Sequence, residues 1–250
     1  MKKIDDLLLT INKLRAENGC EWDKKQTSES LIPYLIEEVY EVIDSIDKKN
    51  SNNLLEELGD LLIHVLFQCD IANDKEQFNL DDVILLANQK LINRHPKIFS
   101  QKVYSNNSNW ELNKQKFKNR KYLLDGIPSN LPSLIKAQRL QEKAASTGFD
   151  WDNIGQVWDK LKEEIQELKQ AKKSKVKDEI EEEVGDVLFT IVNLCRFFDI
   201  SPDNALRKSN YKFLKRFNGI EDELKKENKK FENISIDEMN ALWNKQKQII

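Results

Sequence analysis

The fold is inferred first from two segments, KLKEEIQEL at residues 160–168 and IEEEVGDVLF at residues 180–189. Apolar residues recur in both at intervals of three and four, which is the period of an α-helix with one buried face. The charged stretch from Lys172 to Lys177 separates them as a turn, and a short break between two helices makes them antiparallel neighbours. A helical hairpin is therefore predicted. The apolar positions expected on the buried face of its first helix are Leu161, Ile165 and Leu168.

The same pair of segments occurs earlier in the chain, as YLIEEVYEV at residues 34–42 and LLEELGDLLI at residues 54–63. Glu38 and Glu164 occupy the same place in the two copies of the first segment, and the copies of the second segment are spaced identically. Other short patterns recur in the same order. They are Gly19–Asp23 with Gly148–Asp152, Asn88, Lys90 and Arg94 with Asn210, Lys212 and Arg216, and Trp110 and Lys114 with Trp243 and Lys247. The chain is therefore predicted to be a tandem repeat of one helical unit.

The boundary between the repeats is predicted from the stretch Leu124–Pro132, which concentrates turn-forming residues between helical patterns. We predict an N-terminal domain at residues 1–123, a linker at 124–133 and a C-terminal domain at 134–250. Only 7 Gly and 5 Pro occur in the 250 residues, so few positions interrupt helices. The expected fold class is all-α, with tandem helical-bundle domains.

Composition excludes several classes of function. The formal net charge of −3 argues against binding a nucleic-acid polymer, which usually needs a strong basic excess. Three scattered cysteines and two histidines without metal-ligand spacing argue against zinc and for a reducing compartment. No stretch reaches the ~20 apolar residues that span a bilayer, and the N-terminus lacks a signal-type apolar run. A cytoplasmic protein that does not enter membranes is predicted.

The acidic residues of the hairpin predict a metal site. Glu164 and Glu167 lie three residues apart on one helix, and Glu183 and Asp186 lie three apart on its antiparallel neighbour. Four converging carboxylates repel one another unless a cation lies among them, and an all-oxygen site suits Mg²⁺ or, as a substitute, Mn²⁺. One such acidic run is common on solvated helix faces. The prediction depends on the two adjacent helices and on the repetition.

Basic and aromatic residues near these acids predict a phosphate-containing ligand. Lys160 precedes Glu164 by one helical turn, and Lys212 and Arg216 share a face of the next helix. Such cations either pair with the carboxylates or hold a polyphosphate. Asn210 is a candidate for a polar contact to a base or sugar. Trp243 is interpreted either as a stacking surface for a base or as core packing. Gly59 and Gly185, each beside its acidic residues, suggest a close approach to the backbone there.

These motifs together resemble the MazG family, and the resemblance covers nearly the whole chain. It implies an all-α nucleoside triphosphate pyrophosphohydrolase fold, dimeric, with four-helix cores completed by dimerisation. It also implies the reaction NTP + water → NMP + pyrophosphate, with broad base tolerance. The segments that carry it are Asn18–Asp23, Tyr34–Val42, Glu56–Leu62, Arg94–Pro96 with Phe99, Leu124–Pro128, Gly148–Trp151 and Glu182–Phe189.

The resemblance also implies roles for individual residues. The implied metal ligands and catalytic residues are Glu164, Glu167, Glu183 and Asp186, and the implied substrate contacts are Lys160, Lys212, Arg216 and Trp243. The corresponding second site comprises Glu38, Glu41, Glu57, Asp60, Lys90 and Arg94. Tyr34 stands where the second copy has Lys160, so the C-terminal half is predicted to be the main active site. The alternative is a regulatory helical module that binds nucleotides or dimerises without turnover.

Overall fold

The computed structural model describes residues 2–99 and 121–249, and every regular element within them is a helix. The chain divides into two compact units, Met1–Ser105 and Asn106–Ile250. The all-α fold in two helical units is therefore confirmed, while the bounds of the predicted linker at 124–133 stay a prediction. The recurring Trp110 and Lys114 lie outside the described residues.

The N-terminal unit is built on a hairpin of two long helices, α3 and α4, and α1 and α5 each pack on α4. Asn50 ends the turn between α3 and α4, because its side chain accepts hydrogen bonds from the backbone amides of Asn52 and Asn53. The helices of this unit are α1 (Lys2–Arg15), α2 (Glu21–Lys24), α3 (Ile32–Asp47), α4 (Ser51–Asp74), α5 (Leu80–Arg94) and α6 (Pro96–Phe99).

Helix α1 was not among the predicted elements, although its apolar residues have helical spacing. Its residue Ile11 lies in a core with Leu31, Leu66 and other apolar side chains. Arg15 at its end forms ion pairs with Asp70 and Asp74 of α4. Packing on α4 therefore stabilises a helix whose own sequence is too short to be stable in water.

The C-terminal unit repeats the hairpin and adds two helices that the sequence analysis did not single out, α7 and α11. α7 packs on α9 and α10, and α11 packs on α10. Ser235 and Glu238 form reciprocal hydrogen bonds that start α11. The helices are α7 (Ser133–Ala145), α8 (Ile154–Ser174), α9 (Lys177–Phe197), α10 (Pro202–Lys226) and α11 (Ile236–Ile249), with a 3₁₀ turn at Phe231–Asn233.

The turn of this second hairpin is shorter than predicted. Only Lys175 and Val176 separate α8 from α9, so the turn lies within the predicted stretch Lys172–Lys177 but is shorter than predicted. Lys175 has a φ of 61°, the left-handed conformation that commonly ends a helix. Lys172 and Lys173 instead form the last turn of α8, where cations interact favourably with the helix dipole.

The buried face of α8 also differs from the prediction. Val157 and Leu161 lie in the core, but Ile165 is 37% exposed, so its assignment to the buried face was wrong. Glu164 occupies that face instead, at 5% exposed. Spacings of four and three residues from Val157 lead to Leu161 and then to Glu164, which places all three on one stripe of the helix.

The segment before α7 is held by a buried lysine. Lys143 is 2% exposed, and its Nζ donates to the carbonyl oxygens of Leu123 and Asp125, at 3.0 Å each. The Asp125 side chain also accepts from the Tyr122 amide at 2.8 Å, which closes the turn. Residues from 121 onward therefore pack against the C-terminal unit.

Two further sequence expectations concern the compartment. Cys20, Cys69 and Cys195 are free thiols. Within residues 2–99 and 121–249, no helix combines the length and the apolar character needed to cross a lipid bilayer. The cytoplasm remains the predicted compartment.

Replacing Lys143 with Met should destabilise the protein, because the carbonyls of Leu123 and Asp125 would lose a charged donor inside the unit. We expect a loss of about 1–3 kcal/mol in the free energy of unfolding, measured by urea denaturation. Lys162→Met is the control, because Lys162 is an exposed lysine of α8 whose ion-pair partner among the described residues is the neighbouring Asp159. Equal stability of the two variants would contradict the role given to Lys143.

Candidate active site

The α8–α9 hairpin brings three of the four predicted metal ligands together. Carboxylate oxygens of Glu164, Glu167 and Glu183 all lie within 4.8 Å of one another. The first two belong to α8, one turn apart, and Glu183 faces them from α9. The fourth predicted ligand, Asp186, is close enough to Glu183 to raise the pKa of that carboxyl. The arrangement matches the convergence predicted from the spacing.

Among the described residues, Lys160 makes the one ion pair with this cluster, through Glu164, and it also pairs with the neighbouring Glu163. Its Nζ lies 2.8 Å from Oε1 of Glu164 and 2.8 Å from Oε1 of Glu163. Hydrogen bonds to these two carboxylates raise the pKa of Lys160, so it stays charged. A buried carboxylate is costly without a compensating charge, and Lys160 supplies that charge for Glu164.

The remaining carboxylates of the cluster are not fully compensated. Burial raises the pKa of Glu183, and the nearby charges of Asp186 and Glu164 add to the effect. Burial likewise raises the pKa of Glu167, together with its hydrogen bond to Glu164. Oε2 of Glu183 is buried with no hydrogen-bond partner in the described part of the chain. A buried acceptor without a donor, beside other carboxylate oxygens, fits a divalent cation.

The glycine beside these acids does not make a close contact within the chain. A Cβ built at Gly185 would have no described atom within 4 Å, and the same holds for Gly59 in the first copy. The close approach suggested by the sequence is therefore not made by a described part of this chain.

The N-terminal hairpin reproduces the acidic cluster. Carboxylate oxygens of Glu38, Glu41 and Glu57 lie within 4.8 Å of one another. Burial raises the pKa of Glu38 to about 7, with further contributions from the charges of Asp60 and Glu41. The pKa of Glu57 is raised by burial and by Glu41. The carboxylates of this cluster therefore repel one another, as those of the C-terminal cluster do.

The two clusters differ at the residue predicted to distinguish them. Tyr34 stands at the position of Lys160, and its ring packs edge-on against Trp22 with centroids 5.7 Å apart. The groups that shift the pKa of Glu38 are burial and carboxylates, whereas Glu164 has the Lys160 ammonium beside it. The C-terminal cluster is therefore the better compensated of the two.

The predicted substrate-binding residues of the second half lie on α10 and α11. The guanidinium carbon of Arg216 is 5.7 Å from the centre of the Trp243 ring, and Arg216 Nε is buried without a hydrogen-bond partner among the described residues. Asn210 and Lys212 are exposed. In the described part of the chain, no hydrogen bond or ion pair joins these four residues to the acidic cluster. The structure therefore brings Arg216 and Trp243 together. Arg216 is connected to the acidic cluster only indirectly, because its helix α10 packs on α9, which carries Glu183.

The corresponding cations of the first half lie on α5. Lys90 is exposed and Arg94 is partly buried in the last turn of that helix, which packs on α4. Their relation to the first acidic cluster stays a prediction.

Two features near the predicted residues were missed. Phe213 lies 5.2 Å from Trp243, and Phe217 stacks between Phe213 and Phe231. The spacing of four residues between Phe213 and Phe217 was a signal for one aromatic face on α10. In addition, Asp150 receives hydrogen bonds from Arg196, one of them 2.8 Å long, and these lower its pKa. Asp150 therefore anchors the segment before α8.

Both acidic hairpins lie in segments that match a known protein family. The family model of the MazG nucleotide pyrophosphohydrolase domain matches residues 26–99 and 155–220, so that each match contains one acidic hairpin. The two matches correspond to the two repeats found in the sequence.

Relatives match the chain from end to end. The nucleoside triphosphate pyrophosphohydrolase/pyrophosphatase MazG of Thermotoga maritima is 43% identical over 245 residues, which cover 97% of this chain and 95% of that protein. The nucleoside triphosphate pyrophosphohydrolase of Escherichia coli is 38% identical over 258 residues, covering 99% and 98%. An uncharacterized Bacillus subtilis protein, YabN, is 42% identical over 95% of this chain and half of its own length. The chain belongs to the MazG nucleotide pyrophosphohydrolase family.

Proposed function

We propose that this chain hydrolyses nucleoside triphosphates, ribo or deoxy, to a nucleoside monophosphate and pyrophosphate with Mg²⁺ as cofactor. Its role would be the maintenance of the nucleotide pool. Family membership and two relatives named for this activity support the reaction. The observation that carries the proposal for this chain is the acidic cluster around Glu183, whose buried Oε2 has no donor within residues 2–99 and 121–249.

Magnesium is proposed from the chemistry of the donors. Glu164, Glu167, Glu183 and Asp186 would hold it, because all-oxygen, carboxylate-rich sites suit this ion, and Mn²⁺ is the expected substitute. When bound, the ion would neutralise charge on the triphosphate oxygens. Lys160 adds a cation at the edge of the cluster, where it already pairs with Glu164.

The remaining substrate contacts follow from α10 and α11. We assign the phosphates to Lys212 and Arg216, which present positive charge on one face of α10. The Trp243 ring is the proposed stacking surface for the base, with Asn210 as a polar contact. In the proposed reaction a water oxygen bonds to the α-phosphorus, and the bond from that phosphorus to the α–β bridging oxygen breaks. Pyrophosphate leaves with the bridging oxygen, and Glu164 and Glu167 are the candidates to take up the proton of the water.

The N-terminal half is proposed to be the weaker site. Its acidic cluster is complete, but Tyr34 replaces the lysine that compensates the other cluster. We also propose that two copies of the chain pair through their hairpins. The support is a set of apolar side chains that stay exposed at equivalent positions of α4 and α9. They are Leu58, Leu62 and Val65 in the first half and Val184, Leu188 and Ile191 in the second.

The second candidate function is a nucleotide-binding or dimerising helical module without turnover. The exposed apolar faces favour it as much as they favour a dimeric enzyme. The two functions differ in the metal-dependent release of pyrophosphate from a panel of NTPs and dNTPs. Release with Mg²⁺ that stops with EDTA supports the enzyme, and its absence for every nucleotide supports the module.

Replacing Glu183 with Gln should lower turnover by at least about 100-fold, because one ligand of the cluster loses its charge. The helix should remain folded, since Gln has the same shape and helix propensity as Glu. Pyrophosphate release measures the effect, and circular dichroism checks the fold. Glu181→Gln, an exposed change on the same helix, should retain the wild-type rate. Near-full activity of the Glu183→Gln variant would contradict the proposal that the acidic cluster takes part in the reaction.

Replacing Glu57 with Gln makes the equivalent change in the first half. If the C-terminal site is the main one, this variant should keep more than about half of the wild-type turnover, against the loss of at least about 100-fold for Glu183→Gln. The same pyrophosphate assay compares them side by side. Losses of similar size in the two variants would mean that both sites contribute equally.

Replacing Glu38 with Gln should raise the melting temperature above pH 7 when EDTA keeps divalent metals away. The pKa of Glu38 is raised from 4.5 to about 7, so between these pH values the folded state binds more protons than the unfolded state. Stability therefore falls as pH rises through this window, and Gln removes that loss. Thermal unfolding from pH 4.5 to 8 measures it, with Glu37→Gln as control. Parallel curves for the Glu38→Gln and Glu37→Gln variants would contradict the expectation.

A further inference from the structure

The contact between α10 and α11 is centred on a buried glutamine. Gln246 of α11 is 5% exposed, and it lies directly over Gly219 of α10. A Cβ at Gly219 would be 2.3 Å from Oε1 of Gln246 and 2.5 Å from its Cδ. Glycine is unfavourable in a helix interior, and α10 is a long helix with Gly219 well inside it. The space that this glycine leaves open is therefore used by the side chain of Gln246.

A glutamate one turn further along α10 holds that side chain in place. Oε1 of Glu223 accepts a hydrogen bond of 2.9 Å from Nε2 of Gln246, and its Oε2 accepts one of 3.0 Å from Nζ of Lys245. We call Gly219, Glu223, Lys245 and Gln246 the clasp. If Gln246 moved off Gly219 it would lose its hydrogen bond to Glu223, so the clasp favours one seating of α11 along α10.

The seating of α11 determines where the indole of Trp243 lies. Trp243 precedes Gln246 by three residues, so both lie on one face of α11. Arg216 precedes Gly219 by three residues on α10, and its guanidinium lies over the Trp243 ring at 5.7 Å. The Phe213 ring supports the indole with centroids 5.2 Å apart. A slide of α11 by one residue would move the ring about 1.5 Å along the helix axis and turn it away from this pair.

We propose that the clasp is a positioning device for the nucleoside part of the substrate. It holds Trp243 beside Arg216, so that the indole is pre-organised to stack on a base while Arg216 faces the phosphates. This inference rests on the proposed function, and it adds that Gly219, Glu223 and Gln246 set nucleoside affinity without touching the substrate. They act through Trp243 and contribute little to the chemistry at the acidic cluster.

Nucleotide affinity tests the proposal. The probe is an α,β-methylene nucleoside triphosphate with Mg²⁺, and Kd is measured by equilibrium dialysis. Gly219→Ala and Gln246→Ala should each raise Kd by about three- to tenfold, part of the loss expected for a base stacking contact. The kcat for the matching NTP should change by less than about twofold. Glu223→Gln keeps the acceptor for Gln246 and should retain the wild-type Kd, whereas Glu223→Ala should not.

A double-mutant cycle separates positioning from general loosening. In a Trp243→Ala background the clasp substitutions should no longer change Kd, because the ring through which they act is gone. The affinity for inorganic triphosphate, which has no base, should be equal in wild type and clasp variants. Asn244→Ala, an exposed change in α11, is the matched control. Additive effects in the Trp243→Ala background, or an equal loss of triphosphate affinity, would overturn the proposal.

Thermal unfolding checks the contact itself. Gly219→Ala should lower Tm in the wild-type chain, but in a Gln246→Ala background it should leave Tm unchanged or raise it, because the atoms it would meet are gone. The same decrease in both backgrounds would mean that Gln246 does not occupy the space over Gly219. Failure of the proposed function would be recognised separately, as a wild-type chain that neither binds nor hydrolyses any nucleotide.

Discussion

Repulsion between carboxylates inside a helical hairpin is the constraint around which both halves of this protein are organised. Each hairpin directs three glutamate oxygens to within 4.8 Å of one another, next to a fourth acid one turn away. Such a cluster costs free energy unless protons or cations balance it. The helices that pack around each hairpin must therefore contribute enough stability to hold its two helices together against this repulsion.

The two halves meet the constraint in different ways. In the C-terminal half Lys160 places an ammonium on Glu164, the most buried acid of the cluster. In the N-terminal half the equivalent position is Tyr34, and a pKa of about 7 at Glu38 means that a proton supplies part of the balance near neutral pH. One fold thus carries two acidic clusters of different electrostatic character, and our proposal of a main and a weaker site rests on that difference.

Much of the fold was predictable because helical periodicity and turn chemistry are local. The repeat, the two hairpins and the convergence of the acids follow from spacings of three and four residues. The errors came from packing. Ile165 fits the apolar period but is exposed, and Glu164 occupies the buried position instead. The turn is shorter than the predicted stretch Lys172–Lys177, because α8 continues to Ser174. Helices α1, α7 and α11 were not predicted, although α1 has helical spacing of its apolar residues, and all three pack on longer neighbouring helices.

The amino-acid sequence was sufficient to predict an all-α tandem repeat, the candidate acids of each cluster and the presence of Tyr34 where the second copy has Lys160. These are properties of residue type and spacing, which do not depend on how helices meet. Helix packing was needed to show that Glu164 is buried, that Oε2 of Glu183 has no donor among the described residues, and that Gln246 of α11 lies over Gly219 with Arg216 over the Trp243 ring. Those features depend on which faces of distant helices pack together, and a helical period does not specify the partner of a face.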